Sequence, residues 1–432
     1  MRKFWRIMKL TTLGLLGTVG VALIWLAVAN AAADSKVEKK LAELREAGQP
    51  ISLAALARKP IPPESNAATY LRRAAEELAA IEKAIESALD GTSQQEQAEF
   101  YRFRATAAVQ KTLQSAFASF PNAVPLLEKA AERPDYDPQL DYSKGPGEFL
   151  DHFCELSQDV RQPIRVLNYR VVMLQMEGKR DEAFQTCMTM FRLIRHLEHR
   201  PMLISLLVSL AVRGVAISAA DNVLRSGPLP PSAYDALEAE LARHDLAAAW
   251  QEALRTERAF GIDQFGEYRT TNGYGKLPIG KKDLASYLEL LEAAIQNAPL
   301  PYSDEQAQAR IRAILDRSGA LTKLFSPALQ ATSQAAARTA AKLRSLRVLN
   351  AILRRQQAGR MDEPKLADLG LPAEATTDPF SGDPLVLKKT ADGWLIYSVG
   401  TDLKDDGGQI DDGVTDVGLA PVPPVQTESH QP

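Results

Sequence analysis

The densest chemistry in the chain is a run of acids near its end. Asp402, Asp405, Asp406, Asp411, Asp412 and Asp416 share one short stretch with a single cation, Lys404, and with Gly407, Gly408 and Gly413. Carboxylates crowded in this way repel one another unless water or a cation lies between them. Ca²⁺ takes about 6–8 oxygen ligands and tolerates irregular loops, and glycines let the backbone curl around it. The stretch is not an EF-hand: counting from Asp402, the third position is Lys404, where that motif needs a carboxylate or amide. The spacing leaves two readings open, a Ca²⁺ loop and a solvated acidic loop.

Other constellations are weaker. His196 and His199 stand three apart on a helical stretch, with Glu198 between them. This is neither the HExxH nor the HxxEH zinc pattern. Arg195, Arg200 and Pro201 point instead to a solvated, basic helix end. Gly275, Gly280 and Lys281 match a phosphate loop up to its last position, which is Lys282 instead of Ser or Thr. No apolar strand precedes them, so nucleotide binding is not expected. Cys154 and Cys187 are the only thiols. On a helical hairpin turning near Gly178 they would lie about 24 Å apart at 1.5 Å per residue, so two free, buried thiols are expected. His152 and Cys154 are two positions apart and face different sides of a helix, which argues against a nucleophile and its base.

The elements that position these residues begin with the two ends. Arg2, Lys3, Arg6 and Lys9 precede an uncharged segment over 10–33. As a helix it would reach about 36 Å, beyond the roughly 30 Å of a hydrocarbon core. It reads as a transmembrane anchor or, given its alanines near residue 30, as a cleaved signal segment. The length favours the anchor. The leading cations place residues 1–9 in the cytoplasm and everything from Asp34 onward outside it, and Trp25 suits the outer interface. At the other end, residues 417–432 form a Pro-rich stretch that reads as a disordered tail.

The 432 residues carry 51 Lys+Arg against 54 Asp+Glu, a net charge of -3, with 45% hydrophobic residues. This balance excludes wholesale disorder and a multi-span membrane protein. It also argues against a dedicated nucleic-acid binder, which needs a basic face. The region 34–327 reads as a multi-helix body, rich in Ala and poor in β-branched runs. Helices are expected at 36–47, at 66–89 behind a Ser65 or Asn66 cap, at 93–120, and at 148–176 and 181–197 as a hairpin. Residues 132–147 read as a loop. Residues 201–224 are apolar enough for a span, but Arg213 in the middle makes a buried core helix the better reading. Further helices are expected at 232–243, 246–260, 282–298, 304–324 and 328–357, with a loop over 266–281. Phe149, Phe153, Tyr169, Phe184 and Phe191 are expected in the core.

The character changes after Gly359. Turn residues cluster over 378–384, strands follow at 385–389 and 394–399, and Asp392-Gly393 closes a hairpin between them. The ordered pieces are Asp378, Pro379, Gly382, Pro384, Leu385, Asp392, Gly393, Tyr397, Ser398, Gly400, Asp402 and the Asp411-Asp412 pair. Placed behind a long helix, they resemble the globular end of type II secretion major pseudopilins over roughly residues 335–414. The resemblance implies a small α+β module with a β-hairpin. It also implies Ca²⁺ held by the Val399 carbonyl and by Asp402, Asp411 and Asp412, with Asp405 and Asp406 in the same loop. The prepilin-peptidase site of that family does not occur at the start of this chain, so the module's fold and ion are what carry over.

The expected fold class is therefore mainly α: an N-terminal transmembrane helix, a multi-helix body, and a small C-terminal α+β module over 328–416. The expected role is assembly or interaction at a bacterial cell envelope, with the membrane and envelope proteins as partners. An envelope enzyme with a cleft between helices is the alternative, as is a signal-cleaved periplasmic form.

Overall fold

The computed structural model describes residues 31–198, 202–271, 278–410 and 416–421. The expected anchor up to residue 30 and the tail from residue 422 lie outside the described residues. The described chain is mainly helical, with one small antiparallel sheet near its C-terminus.

Helix α1 covers residues 31–46 and ends at Gly48, whose φ of +65° suits glycine. Helix α2 (Ala67–Asp90) starts where expected: the Asn66 side chain accepts from the Ala68 amide. Its buried stripe of Leu71, Ala74, Leu78, Ile81, Ile85 and Leu89 follows the three-and-four spacing of one helix face. The expected single helix over 93–120 is instead two, α3 (Gln94–Phe100) and α4 (Ala107–Ser119). Ser93 and Glu96 form a capping box on the first, Thr106 caps the second, and Phe103 between them takes a φ of +63°. Cap residues thus overrode a continuous helical pattern. A short α5 (Ala123–Ala131) follows.

Helices α6 (Pro146–Met176) and α7 (Arg180–Glu198) form the expected hairpin around Gly178, whose φ is +73°. All five aromatics expected in the core are buried there. Helix α8 (Leu203–Arg225) is the one described helix long and apolar enough to cross a bilayer, with a mean hydropathy of 2.0, yet its most apolar stretch is 67% buried. It packs on α6, α7 and α10 (Leu246–Thr271), and on the later α13. It is the central helix of the body, as Arg213 suggested.

After α9 (Pro231–Leu241), the expected loop over 266–281 is corrected. Helix α10 runs on to Thr271 and α11 (Pro278–Asn297) opens with Pro278 in its first turn, where a missing N–H costs nothing. A second correction concerns the next break. Helix α12 (Glu305–Arg317) ends at Ser318, and α13 (Ala320–Gln357) runs unbroken through Pro327. The break falls at Gly319, where a Cβ would come within 2.2 Å of the Asp283 carboxylate. Pro327 withholds a partner only from the Lys323 carbonyl, on an exposed turn where water can replace it. The long helix therefore begins at 320, not 328.

Helix α13 is the spine that joins body to sheet. It packs on α8, α9 and α11, and also on α14 (Ala373–Thr376) and the strands. Strand β1 (Val386–Thr390) pairs antiparallel with β2 (Gly393–Ser398) in the expected hairpin. A third strand, β3 (Val417–Leu419), pairs with β2 on its other edge. Residues 417–419 are thus buried sheet and not part of a disordered tail. Three residues around a glycine give no readable alternation, and only the pairing partner makes them a strand. Gly418 is required there, because a Cβ would lie 2.1 Å from the Ile396 carbonyl oxygen. Leu385, Trp394, Ile396 and Leu419 belong to the same apolar core as the body helices.

Candidate metal loop

The loop hangs from a turn built around one buried carboxylate. Asp378 Oδ1 accepts from the Phe380 amide at 2.7 Å and from the Ser398 hydroxyl at 2.6 Å. Its Oδ2 accepts from the Val399 amide at 2.9 Å. The Asp-Pro turn is thereby tied to the last residues of β2. Arg344 on α13 donates to the Thr377 carbonyl at 2.7 Å, and the Asp378 charge favours its guanidinium against the burial that pushes its pKa down. Phe380 is fully buried and packs edge-on against Tyr302, with ring centres 5.7 Å apart.

Beyond β2 the backbone turns repeatedly through left-handed conformations, at Gly400, Leu403, Gly407 and Gly408. The described acids of the loop have different partners. Asp402 Oδ1 accepts from the Lys404 amide at 3.2 Å. Asp405 is committed elsewhere: its Oδ1 accepts from the Tyr397 hydroxyl at 2.7 Å and from the Gly407 amide at 2.9 Å. Lys388 pairs with it at 3.4 Å and lies over the Tyr397 ring. The Tyr397 hydroxyl holds the Asp405 carboxyl below its usual range, while burial pushes Tyr397 up to about 12. Asp406 is half-buried, and Asp411 and Asp412 lie outside the described residues. Among the described residues, no group of three or more His, Cys, Asp or Glu is arranged to hold a metal ion.

The residue that sequence reasoning left out of the ligand set is Asp416. Ser398 pairs with Val417, so the register one step on sets Asp416 across from Val399. Asp416 is buried, and its Oδ2 accepts from the Gly408 amide at 2.7 Å. Its Oδ1 is buried with no hydrogen-bond partner among the described residues. Burial raises its pKa; the amides of Gly408 and Asp406 oppose the rise, and the charges of Asp405 and Asp406 add to it. No local signal marked its burial, because Val417–Leu419 becomes a strand only through its pairing with β2.

The remaining candidates resolve into structure. His196 is not at a solvated end: it is buried, within 3.1 Å of the Ala130 carbonyl oxygen and stacked on Tyr136. His199 and the side chain of Cys154 lie outside the described residues. Cys187 is a free, buried thiol whose pKa burial raises to about 12. Lys281 is buried in the first turn of α11 and paired with Asp34 at 2.5 Å. An open cleft of about 340 Å³ is lined in part by Arg58, Asp137, Asp141, Tyr142 and Ser143. Its Asp141 is taken up by Ser143, which donates to it through both its hydroxyl and its amide.

No protein-family model matches this chain, and neither curated proteins nor solved structures show a significant similarity to it.

Proposed function

We propose that this chain is a single-span envelope protein whose extracytoplasmic helical body carries a pseudopilin-like module stabilised by Ca²⁺. Its role is assembly or interaction at the bacterial envelope. The anchor is the uncharged segment over 10–33 with its leading cations. In the loop, the Val399 carbonyl and the carboxylates of Asp402, Asp406, Asp411 and Asp412 supply oxygens, joined by Asp416, while Asp405 serves the hairpin.

The observation that carries the ion is the Asp416 carboxylate. It is buried beside two other acids, and one oxygen has no hydrogen-bond partner among the described residues. A buried anion in that state needs a proton or a cation. A hard cation answers this demand and offsets the repulsion of the loop. Outside the cytoplasm a weak site is sufficient, with dissociation constants near 10⁻⁴–10⁻³ M.

The test is thermal unfolding of the purified full chain in detergent. Ca²⁺ at about 10–100 times its dissociation constant stabilises the native state by about 1.4–2.7 kcal/mol relative to chelator, a rise of a few degrees. Indifference of the melting temperature to both Ca²⁺ and chelator would overturn the ion.

Asp416→Asn separates the ion from the loop's own packing. In chelator at pH 7 the variant is more stable than the parent by about 1–2 kcal/mol, because no buried charge is left unanswered. A carboxyl whose folded pKa is raised contributes its stability fully below the unfolded value, about 3.9, and loses it as pH rises through the folded value. The advantage of the variant therefore grows from about pH 4 upward. Added Ca²⁺ stabilises the parent and leaves the variant unmoved. Equal responses of both proteins would remove Asp416 from the site.

A further inference from the structure

The uncharged segment over 10–33 runs directly into α1, and the first charge after it is Asp34. With the segment in a bilayer, Asp34 marks the membrane boundary. Its Oδ2 accepts from Lys281 Nζ at 2.5 Å, so the first turn of α11 is held at that boundary. Two residues along, Asp283 is fully buried. Its carbonyl accepts from the Thr322 hydroxyl at 3.1 Å. Gly319 lies against the Asp283 carboxylate too closely for a Cβ. Lys36 on α1 and Arg317 at the end of α12 both pair with Glu289 at 2.9 Å. This chain of contacts draws the start of α13 to the place where the anchor leaves the bilayer.

Two leucines stand exposed at that start. Leu324 is 77% exposed and Leu321 36%, three positions apart and therefore on one face of the helix. Lys323 between them and Lys282 on α11 are also exposed. Phe325, half-buried, packs edge-on against Tyr287 and fixes the turn from behind. Exposed leucines beside lysines are the composition of a surface lying in a lipid interface, where apolar side chains enter the acyl boundary and cations meet phosphates.

We propose that this end of the body is a membrane-apposed surface: Leu321 and Leu324 enter the headgroup region of an anionic bilayer, and Lys282 and Lys323 contact lipid phosphates. The proposal rests on the anchored reading given above. It fixes which side of the body faces the membrane, and it sets the far end of α13 and the sheet that packs on it away from the bilayer, facing envelope partners.

The experiment places a photoreactive benzoylphenylalanine at position 324 of the full chain in vesicles of phosphatidylglycerol and phosphatidylcholine. A second variant carries it at Met361, which is 71% exposed just past the other end of α13, about 50 Å along the helix at 1.5 Å per residue. Lipid adducts at 324 and none at 361 are expected, and Lys282→Glu with Lys323→Glu lowers the yield at 324 several-fold. Protein adducts in place of lipid at 324 would overturn the proposal and make the patch a protein interface. Absence of lipid adducts at 324 in a chain that resists carbonate washing would overturn it while leaving the anchor standing. A chain released by carbonate would overturn the anchored reading, and the proposal with it.

Discussion

Asp378→Ala is expected to destabilise the C-terminal module by about 3–5 kcal/mol, one of the two largest single-residue effects in the chain. The carboxylate is buried and accepts three hydrogen bonds, from the amides of Phe380 and Val399 and from the Ser398 hydroxyl. Bonds to a charged acceptor contribute about 1.5–3 kcal/mol each, although such contributions are not additive within one network. Alanine leaves all three donors buried and unanswered. It also removes the main anion facing Arg344, whose guanidinium is already disfavoured by burial. Asp378→Asn retains one acceptor oxygen and should lose about half as much. Denaturant unfolding followed by tryptophan fluorescence measures this, since Trp394 is buried in β2, the strand that Asp378 holds at its far end. A loss below about 1 kcal/mol for the alanine variant would show that the turn stands without its carboxylate.

The second large effect belongs to the body. Glu240→Ala is expected to cost about 3 kcal/mol, the scale of a buried charge network broken on one side. Glu240 is 4% exposed at the end of α9. Its carboxylate pairs with Arg195 at 2.7 Å and has Arg192, Arg243 and His244 within 3.9 Å. His244 in turn lies 3.3 Å from the fully buried Arg213 on α8. One carboxylate thus balances cations from α7 and the chain after α9, with Arg213 of α8 reached only through His244. Arg192, Arg195 and Arg243 reach solvent and recover hydration when it is lost, which keeps the cost below the sum of the pairs. Arg213 and His244 cannot. Glu240→Gln preserves shape without charge and should fall between the two. Circular dichroism melts of the three proteins would check the order, and equal melts would mean that the network contributes nothing net.

How far the sequence foretold this architecture differs from element to element. Helix α2 and the α6–α7 hairpin were legible because their apolar spacing, caps and turn glycine all lie within a few positions of one another. Helix α8 was legible as core because a mid-helix arginine is more expensive in lipid than beside protein partners. The split between α3 and α4 was written in Ser93, Glu96 and Thr106, but the continuous apolar pattern concealed it. The start of α13 was misplaced by eight residues, because the break that opens it, at Gly319, depends on Asp283, a residue from another helix. The hairpin and its turn were readable from glycine, proline and aspartate order. Within the acidic loop, the contacts of Asp405 with Tyr397 and Lys388 and the burial of Asp416 were not legible, because each depends on strand residues that folding brings alongside.

The sequence alone determined the helical class, the hairpin with its acidic loop, and the uncharged segment beside a basic start. Each is set by residues close together along the chain, through helix period, turn chemistry and local charge. Tertiary structure alone decided that β3 exists, that Asp416 is buried across from Val399, that Arg213 has His244 beside it, and that Lys281 answers Asp34 from 247 positions away. Those outcomes depend on which distant surfaces meet. A buried carboxylate or a three-residue strand acquires its meaning only from the partner that folding brings to it.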